Sequence, residues 1–154
     1  MGATFRPMVD ADLAEILALN LRAEDIEECR ASSGLEPGEA LAVSVAVSDE
    51  VSVITIDGKI VGLFGLAELT GILEGAAPWM LATDALFSIE GVKGLFAKRS
   101  KDVIEGMLEK YSLLSNFVAV QNTKAVSWLE WLGFSFREKR DFRGVEFVRF
   151  ERRR

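Results

Sequence analysis

The chain has 154 residues, of which 49% are hydrophobic and 27% charged, and its net charge is −6. This size and apolar content predict one folded domain over residues 1–154 and exclude an intrinsically disordered protein. The sequence has no histidine and a single cysteine, Cys29, which excludes histidine-dependent triads, zinc–histidine sites and internal disulfides. No apolar run has the roughly 18 residues of a membrane span. The first ten residues lack a secretory pattern, so a cytoplasmic location is expected.

Charge is divided unevenly along the chain. Residues 1–92 hold 4 basic and 16 acidic side chains, a balance of −12, whereas residues 93–154 hold 14 basic and 8 acidic, a balance of +6. The second part is therefore where an anionic ligand is expected. An arginine-rich C-terminus could contact nucleic acid. The overall acidity instead favours solvated strand ends, and no nucleic-acid partner is expected.

The first third of the chain predicts one strand followed by helices. The strand covers residues 3–9, and Pro7 marks either a sheet edge or the strand's end. Asp12 and Glu15 are spaced as a loose capping pair for a first helix, in which apolar residues recur at helical spacing. Residues 24–29 continue as helix, for which Gly34 is the predicted stop, and another helix over residues 38–48 follows Pro37, so two or three helices are expected here.

Strands and one long helix are predicted for the middle of the chain. Residues 51–56 and 59–67 form a hairpin around Asp57-Gly58, a pair that suits a type I′ turn. A further strand is predicted from Trp79 to Phe87 and a loop from Ser88 to Gly94. Apolar residues at helical spacing then predict a helix over residues 95–111.

The last third alternates strands with one helix. A short strand covers residues 116–120, and a helix over 123–132 stops at Gly133. Two more strands, residues 134–137 and 144–150, close the chain. The order of elements predicts an α/β (α+β) protein with a mixed central sheet.

Residues Asn122 to Phe134, with the sequence NTKAVSWLEWLGF, resemble the last conserved motif of the GCN5-related N-acetyltransferases. Arg6-Pro7 followed by Asp12 is similar to that family's first strand-to-helix junction, and the hairpin to its second and third strands. Residues 107–122 resemble phage-encoded proteins of the same fold, including internal virion or head-morphogenesis proteins of short-tailed phages. The resemblance covers nearly the whole chain and implies the acyl-CoA N-acyltransferase fold, with helices on both faces of the sheet.

The resemblance also implies acetyl-coenzyme A (acetyl-CoA) as cofactor and an amine as acyl acceptor. The pantetheine arm would pair with the strand backbone at Leu81, Ala82 and Thr83. The phosphates would lie near a helix start, where backbone amides and basic side chains favour anions; the candidates are Gly91, Lys93, Gly94, Lys98 and Arg99. Asn122 would either reach the cofactor or cap the helix beginning at Thr123.

Two positions depart from the family's pattern. Phe96 follows Gly94 by two residues, where a small residue normally lets the backbone approach a pyrophosphate. Leu129 stands where many members carry the tyrosine that protonates the leaving thiolate. Asp84 and Glu68 are the candidate general bases, with capping or surface roles as the alternative.

Two functions of different classes follow. One is a phage or prophage N-acetyltransferase with degenerate motifs, which moves an acetyl group from acetyl-CoA to an amine. The other is a non-catalytic virion-assembly or interaction module on the same fold, with phage structural proteins or a second copy of the chain as partner. The expected location is the cytoplasm of the bacterial host or the virion, with neither metal nor membrane involved.

Overall fold

The computed structural model describes residues 2–71, 74–88 and 90–154, and only the backbone at residues 90–93 and 95. In this part of the chain the strands are β1 (Ala3–Pro7), β2 (Glu50–Ile56), β3 (Lys59–Glu68), β4 (Gly75–Ala82), β5 (Leu113–Ala119), β6 (Ser135–Phe142) and β7 (Val145–Arg153). The helices are α1 (Leu13–Leu17), α2 (Ala23–Ser33), α3 (Pro37–Val47), α4 (Ala85–Ser88), α5 (Glu90–Lys110) and α6 (Thr123–Trp131). A single 3₁₀ turn, Asp10–Asp12, precedes α1.

The seven strands form one mixed sheet in the order β1-β2-β3-β4-β5-β7-β6. Neighbouring strands pair antiparallel except β4 and β5, which pair parallel. The predicted mixed sheet is confirmed, and Pro7 ends the edge strand β1, where its missing N–H leaves no ladder bond unmade.

Helices cover both faces of the sheet, as the resemblance implied. Because side chains alternate across a strand, Val53 and Leu63 pack with the core of α1–α3, whereas Ile54 and Val61 pack on the other face with Phe96 of α5. Each fully buried aliphatic side chain of this kind stabilises the fold by about 1.5–3 kcal/mol.

Several local signals are borne out. Asp57 and Gly58 have φ of +50° and +80°, as a type I′ turn requires. Gly34 ends α2 with φ of +76°, and Gly133 follows α6 with φ of +92°. Pro37 lies in the first turn of α3.

The predicted strand at residues 79–87 and the loop after it are wrong. The strand is β4, which begins at Gly75 because a seven-residue ladder with β3 overrides the low strand propensity of Gly75-Ala76-Ala77-Pro78. It ends at Ala82, since the amides of Leu86 and Phe87 bond to the carbonyls of Thr83 and Asp84 and start α4. Residues 90–94, expected in a loop, already belong to α5.

The predicted capping pair of Asp12 and Glu15 is also wrong. The buried Asp12 carboxylate accepts two bonds from the Arg6 guanidinium, at 2.8 and 2.9 Å, and one from the Val9 N–H at 2.9 Å. Glu15 instead accepts from the Ile60 N–H at 2.7 Å. The Arg6–Asp12 pair therefore ties β1 to the turn before α1, and these bonds hold the pKa of Asp12 down at about 2.

The last two strands are longer than predicted and take in most of the C-terminal arginines. Arg149 pairs with Glu138 at 2.8 Å, and Arg152 pairs with Glu105 at 2.6 Å. These arginines therefore lie in a strand with acidic partners. In the described part of the chain, no helix combines the length and apolar content of a membrane span.

Candidate functional site

Strands β4 and β5 form a fork. They pair only at Gly75 with Leu113 and at Ala76 with Leu114, and then diverge. Pro78 of β4 lies two residues beyond the last pair, and because proline has no N–H it cannot continue the parallel ladder. Asn116 spans the opening: its Nδ2 donates to the Pro78 carbonyl at 2.9 Å, and its Oδ1 accepts from the Phe117 N–H at 2.8 Å.

The fork opens into a cleft of about 850 Å³. Its walls are mostly apolar and come from β4, β5, α5 and α6. On one side Phe96 and Trp128 stack with ring centroids 5.3 Å apart, and Phe87 meets Phe96 edge-on at 5.8 Å. A concave, largely apolar site with a few polar groups is the usual form of a small-molecule site.

Backbone groups of β4 face this cleft at every second residue. The Pro78 carbonyl and the N–H and C=O of Ala82 all point to the β5 side of β4. The Pro78 carbonyl accepts from Asn116. The Ala82 N–H donates to Asp25, and the Ala82 carbonyl accepts from the Arg22 N–H at 2.9 Å. By the same alternation Met80 directs its N–H and C=O into the cleft. Neither group has a partner among the described residues. Met80 therefore offers one donor and one acceptor to an extended ligand.

Two carboxylates of α2, three residues apart, lie at the open end of the fork. Asp25 accepts from the Ala82 N–H of β4 at 2.9 Å. Glu28 accepts through one oxygen, Oε1, from the Ala119 N–H of β5 at 3.0 Å and from Asn122 Nδ2 at 3.1 Å. The two side chains thus tie both diverging strands to one helix.

Burial raises the pKa values of this acidic group. The pKa of Asp25 rises to about 6, although the Arg22 charge and the Ala82 N–H partly oppose the shift. Burial likewise raises the pKa of Glu28. The pKa of the Cys29 thiol rises to about 11 for the same reason, so Cys29 is protonated at neutral pH and is a poor nucleophile.

Two residues that line the cleft, Arg22 and Trp128, each hold a buried donor, Nε and Nε1, with no acceptor among the described residues. Arg22 is only 6% exposed, and its guanidinium lies over the Phe87 ring at 4.9 Å. Its distance to the Asp25 carboxylate is 3.5 Å. Unsatisfied buried donors are rare in folded proteins and point to an absent partner.

The three predicted pantetheine-binding residues lie at or just after the end of β4, and each contacts a different part of the structure. Leu81 packs against the core of α1–α3 and also lines the cleft. The backbone N–H and C=O of Ala82 are already engaged by the Asp25 carboxylate and the Arg22 N–H. Thr83 bonds to the Val61 carbonyl of β3 through its N–H and its hydroxyl, both at 2.9 Å. Asn122 lines the cleft and caps α6 by accepting from the Ala125 N–H at 3.4 Å, so the capping role is observed.

All the predicted phosphate-binding residues belong to α5: Gly91, Lys93 and Gly94, which were expected in the loop before it, and Lys98 and Arg99, which were expected on the helix. The side chain of Lys93 lies outside the described part. Lys98 is exposed, and Arg99 lies over the Phe5 ring at 5.3 Å. Phe96 points inward and is only 5% exposed, so its ring forms the cleft wall instead of blocking the helix start.

The two predicted bases lie away from the cleft. Asp84 is exposed in the turn after β4, not on that strand. Glu68 is at the end of β3 that pairs with the start of β4, and it accepts from the Tyr111 hydroxyl at 3.1 Å. Sequence reasoning missed Arg22, Asp25, Glu28 and Asn116 as cleft residues. The one local signal was Pro78, directly before the strand predicted from Trp79.

Comparisons with known proteins agree with this architecture. The family described as "Bacteriophage T7, probable scaffold protein Gp13" matches residues 60–140, more than half of the chain. The chain belongs to this phage family. No curated protein matches it in sequence.

Solved structures show the fold. A spermidine N-acetyltransferase from Vibrio cholerae, solved with CoA and spermine, is 19% identical with a TM-score of 0.72, covering 98% of this chain and 95% of its own. A GCN5-related N-acetyltransferase from Kribbella flavida is also 19% identical, with a TM-score of 0.72 and coverage of 99% and 98%. A GNAT-family acetyltransferase from Streptococcus pneumoniae is 15% identical, with a TM-score of 0.70 and coverage of 99% and 100%. The fold of this phage protein is therefore that of the GCN5-related N-acetyltransferases.

Proposed function

We propose that this phage protein binds an acyl-CoA thioester in the cleft between β4 and β5 and transfers its acetyl group to an amine. One observation carries the proposal: the fork at Pro78 leaves the Met80 N–H and C=O facing a cleft of about 850 Å³. A pantetheine arm is narrow and carries amide groups that match one such donor and acceptor. The unpaired Trp128 Nε1 supplies a further donor for a carbonyl.

The transfer needs little from side chains. Bound acetyl-CoA would supply an activated thioester. The amine nitrogen forms a bond to the acyl carbon, the carbon–sulfur bond breaks, and the sulfur leaves with the electron pair. The nitrogen's proton passes to water or a carboxylate at the cleft mouth, and water protonates the thiolate, since Leu129 is buried and has no proton to give.

Calorimetry with CoA and acetyl-CoA tests the proposal. Met80→Pro removes the inward N–H but no bond to β3, because residues 64 and 80 are a non-hydrogen-bonded pair. We expect at least tenfold weaker binding for Met80→Pro, whereas Met80→Leu, which keeps the N–H, binds like the wild type. No heat of binding at millimolar CoA, with a cooperatively folded protein, would remove this function.

A non-catalytic assembly role is the second candidate, and it too is a proposal. It is supported by the scaffold description of the family and by the way this chain fills its own cleft: the N–H groups of Ala82, Phe117 and Ala119 bond to its own side chains. It is also supported by apolar residues exposed on α1, on α3 and before the 3₁₀ turn, together called the apolar face: Val9, Leu13, Leu17, Val43 and Val47, which are 40–62% exposed.

Sedimentation velocity separates the two candidates. If this apolar face mediates assembly, the wild type forms concentration-dependent oligomers or binds purified phage structural proteins, and Val43→Glu abolishes the association. Glu39→Gln, at an exposed position of the same helix, is the matched control. A monomer that turns over acetyl-CoA and binds none of those proteins contradicts the assembly role.

A further inference from the structure

The cleft mouth holds two groups of opposite charge that lack a full set of partners. Arg22 is buried and its Nε has no acceptor among the described residues. Glu28 uses Oε1 for both of its bonds, and Oε2 has no partner in the described part of the chain. Both side chains line the same cleft, and their charges interact.

The positions of these two groups are fixed by other contacts. Glu28 is held by the Ala119 N–H and by Asn122, which in turn caps α6. The Arg22 guanidinium is held over the Phe87 ring and beside Asp25, and its backbone N–H bonds to Ala82 of β4. A preformed pair of this kind recognises a ligand with little loss of side-chain entropy.

We infer that the acyl acceptor is a primary amine that also carries a carboxylate, bound with its carboxylate at Arg22 and its ammonium at Glu28. This inference rests on the proposed function, because it names the acceptor of that reaction. A ligand with both charges supplies the acceptor that Arg22 lacks and the donor that Glu28 Oε2 lacks. A simple amine leaves Arg22 Nε without an acceptor, and a simple carboxylate leaves Glu28 Oε2 without a donor. A ligand with both groups is therefore favoured over either.

Direct binding tests the inference without any cofactor. Calorimetry or thermal shift is run on the full chain with ω-amino acids from glycine to 6-aminohexanoate, and with propylamine and propionate as probes of one charge. We expect one member of the series to bind at least tenfold more tightly than either probe. Equal binding of propylamine, or no binding of any ω-amino acid at millimolar concentration, overturns the inference.

Variants assign the two ends of the ligand. Glu28→Gln keeps acceptors for Ala119 and Asn122 but loses the charge, and we expect at least tenfold weaker binding of the preferred amino acid. Glu27→Gln, at the exposed neighbouring position, is the control and binds like the wild type. Arg22→Lys keeps the charge without Nε and weakens amino-acid binding while leaving propylamine binding unchanged.

These outcomes are separable from those of the proposed function. CoA binding without amino-acid binding supports the cleft function and overturns the inferred acceptor. Amino-acid binding that depends on Glu28, without CoA binding, supports the acceptor site and removes the acetyl transfer. If Glu28→Gln no longer unfolds cooperatively in urea, Glu28→Asp is used instead. Aspartate keeps the charge on a shorter side chain, so we expect weaker binding of the preferred amino acid if the position of the carboxylate matters.

Discussion

Gly65 shows how one missing side chain decides the packing of β3 against β4. A Cβ at this position would lie 2.6 Å from Trp79 Cζ2 and 2.7 Å from the Glu50 carbonyl oxygen. The Trp79 indole cannot easily retreat, because its N–H donates to Ser48 Oγ at 2.7 Å. Backbone and ring together therefore require glycine here.

Gly65→Ala is expected to destabilise the protein by about 1–3 kcal/mol, because overpacking forces the strand or the ring to shift. Gly106→Ala is the matched control: it lies inside α5 with no atom within 4 Å of a new Cβ, so alanine should stabilise by about 0.5–1 kcal/mol. Urea unfolding measures both. If Gly65→Ala leaves the free energy of unfolding unchanged, β3 and Trp79 can accept a methyl group here without cost.

Asp25 predicts a specific pH dependence of stability. Its folded pKa of about 6 lies above its ordinary value of 3.8, so between these values the folded state holds more protons than the unfolded state. Stability from this group therefore falls as pH rises from about 4 to 6, and the full loss persists above pH 6.

Asp25→Asn removes this contribution. We expect its free energy of unfolding, relative to the wild type, to increase by up to about 3 kcal/mol between pH 4 and 7. The difference between variant and wild type cancels the contributions of other carboxylates to stability. One of these is Asp12, whose lowered pKa makes its contribution increase with pH. Urea titrations at a series of pH values measure it, and a difference that does not change with pH would contradict the assigned burial.

At the scale of elements, the start of α6 depends on one residue. Asn122 accepts from the Ala125 N–H and donates to Glu28 of α2, so the cap joins two helices at the cleft mouth. Asn122→Ala should cost about 1–2 kcal/mol through the lost cap. Gln121→Ala, at an exposed position, should stay within about 0.5 kcal/mol of the wild type. If the two variants unfold alike in urea, the cap contributes nothing.

Elements with strong local signals were predicted well, and β4 was not. The Asp57-Gly58 turn, Gly34, Pro37 and Asn122 each determine a local backbone geometry, so their elements could be read from a few residues. β4 begins in residues that favour no strand and is held by its ladder with β3, which is a long-range interaction. The same error placed Gly91, Lys93 and Gly94 in a predicted loop, although they belong to α5.

At the scale of the whole molecule, the proposed binding of a ligand in the fork would be coupled to stability. Because β4 and β5 share only two paired positions, the sheet at this point is held by side chains from α2 and by Asn116. A ligand that pairs with Met80 bridges the two halves of the sheet. A ligand that binds only the folded state stabilises it by an amount that grows with the logarithm of the ligand concentration once this exceeds the dissociation constant.

Acetyl-CoA at about 100 times its dissociation constant should therefore raise the free energy of unfolding by about 2.7 kcal/mol. For a chain of this size that corresponds to a shift in Tm of roughly 5–10 °C. Thermal unfolding with and without ligand measures the effect, with Met80→Leu as positive control. A shift in Met80→Pro as large as in the wild type would show that the ligand binds elsewhere.

The sequence by itself determined the class of fold, the hairpin, most helix boundaries and the motif at Asn122, because these follow from short-range periodicity, turn chemistry and capping. The tertiary structure decided where the cleft lies and which charges reach it. In the sequence Asp25 and Glu28 stand in an acidic stretch, and Arg22 precedes the helix that contains them. They become a site only because α2 packs across the ends of two strands that Pro78 helps to keep apart.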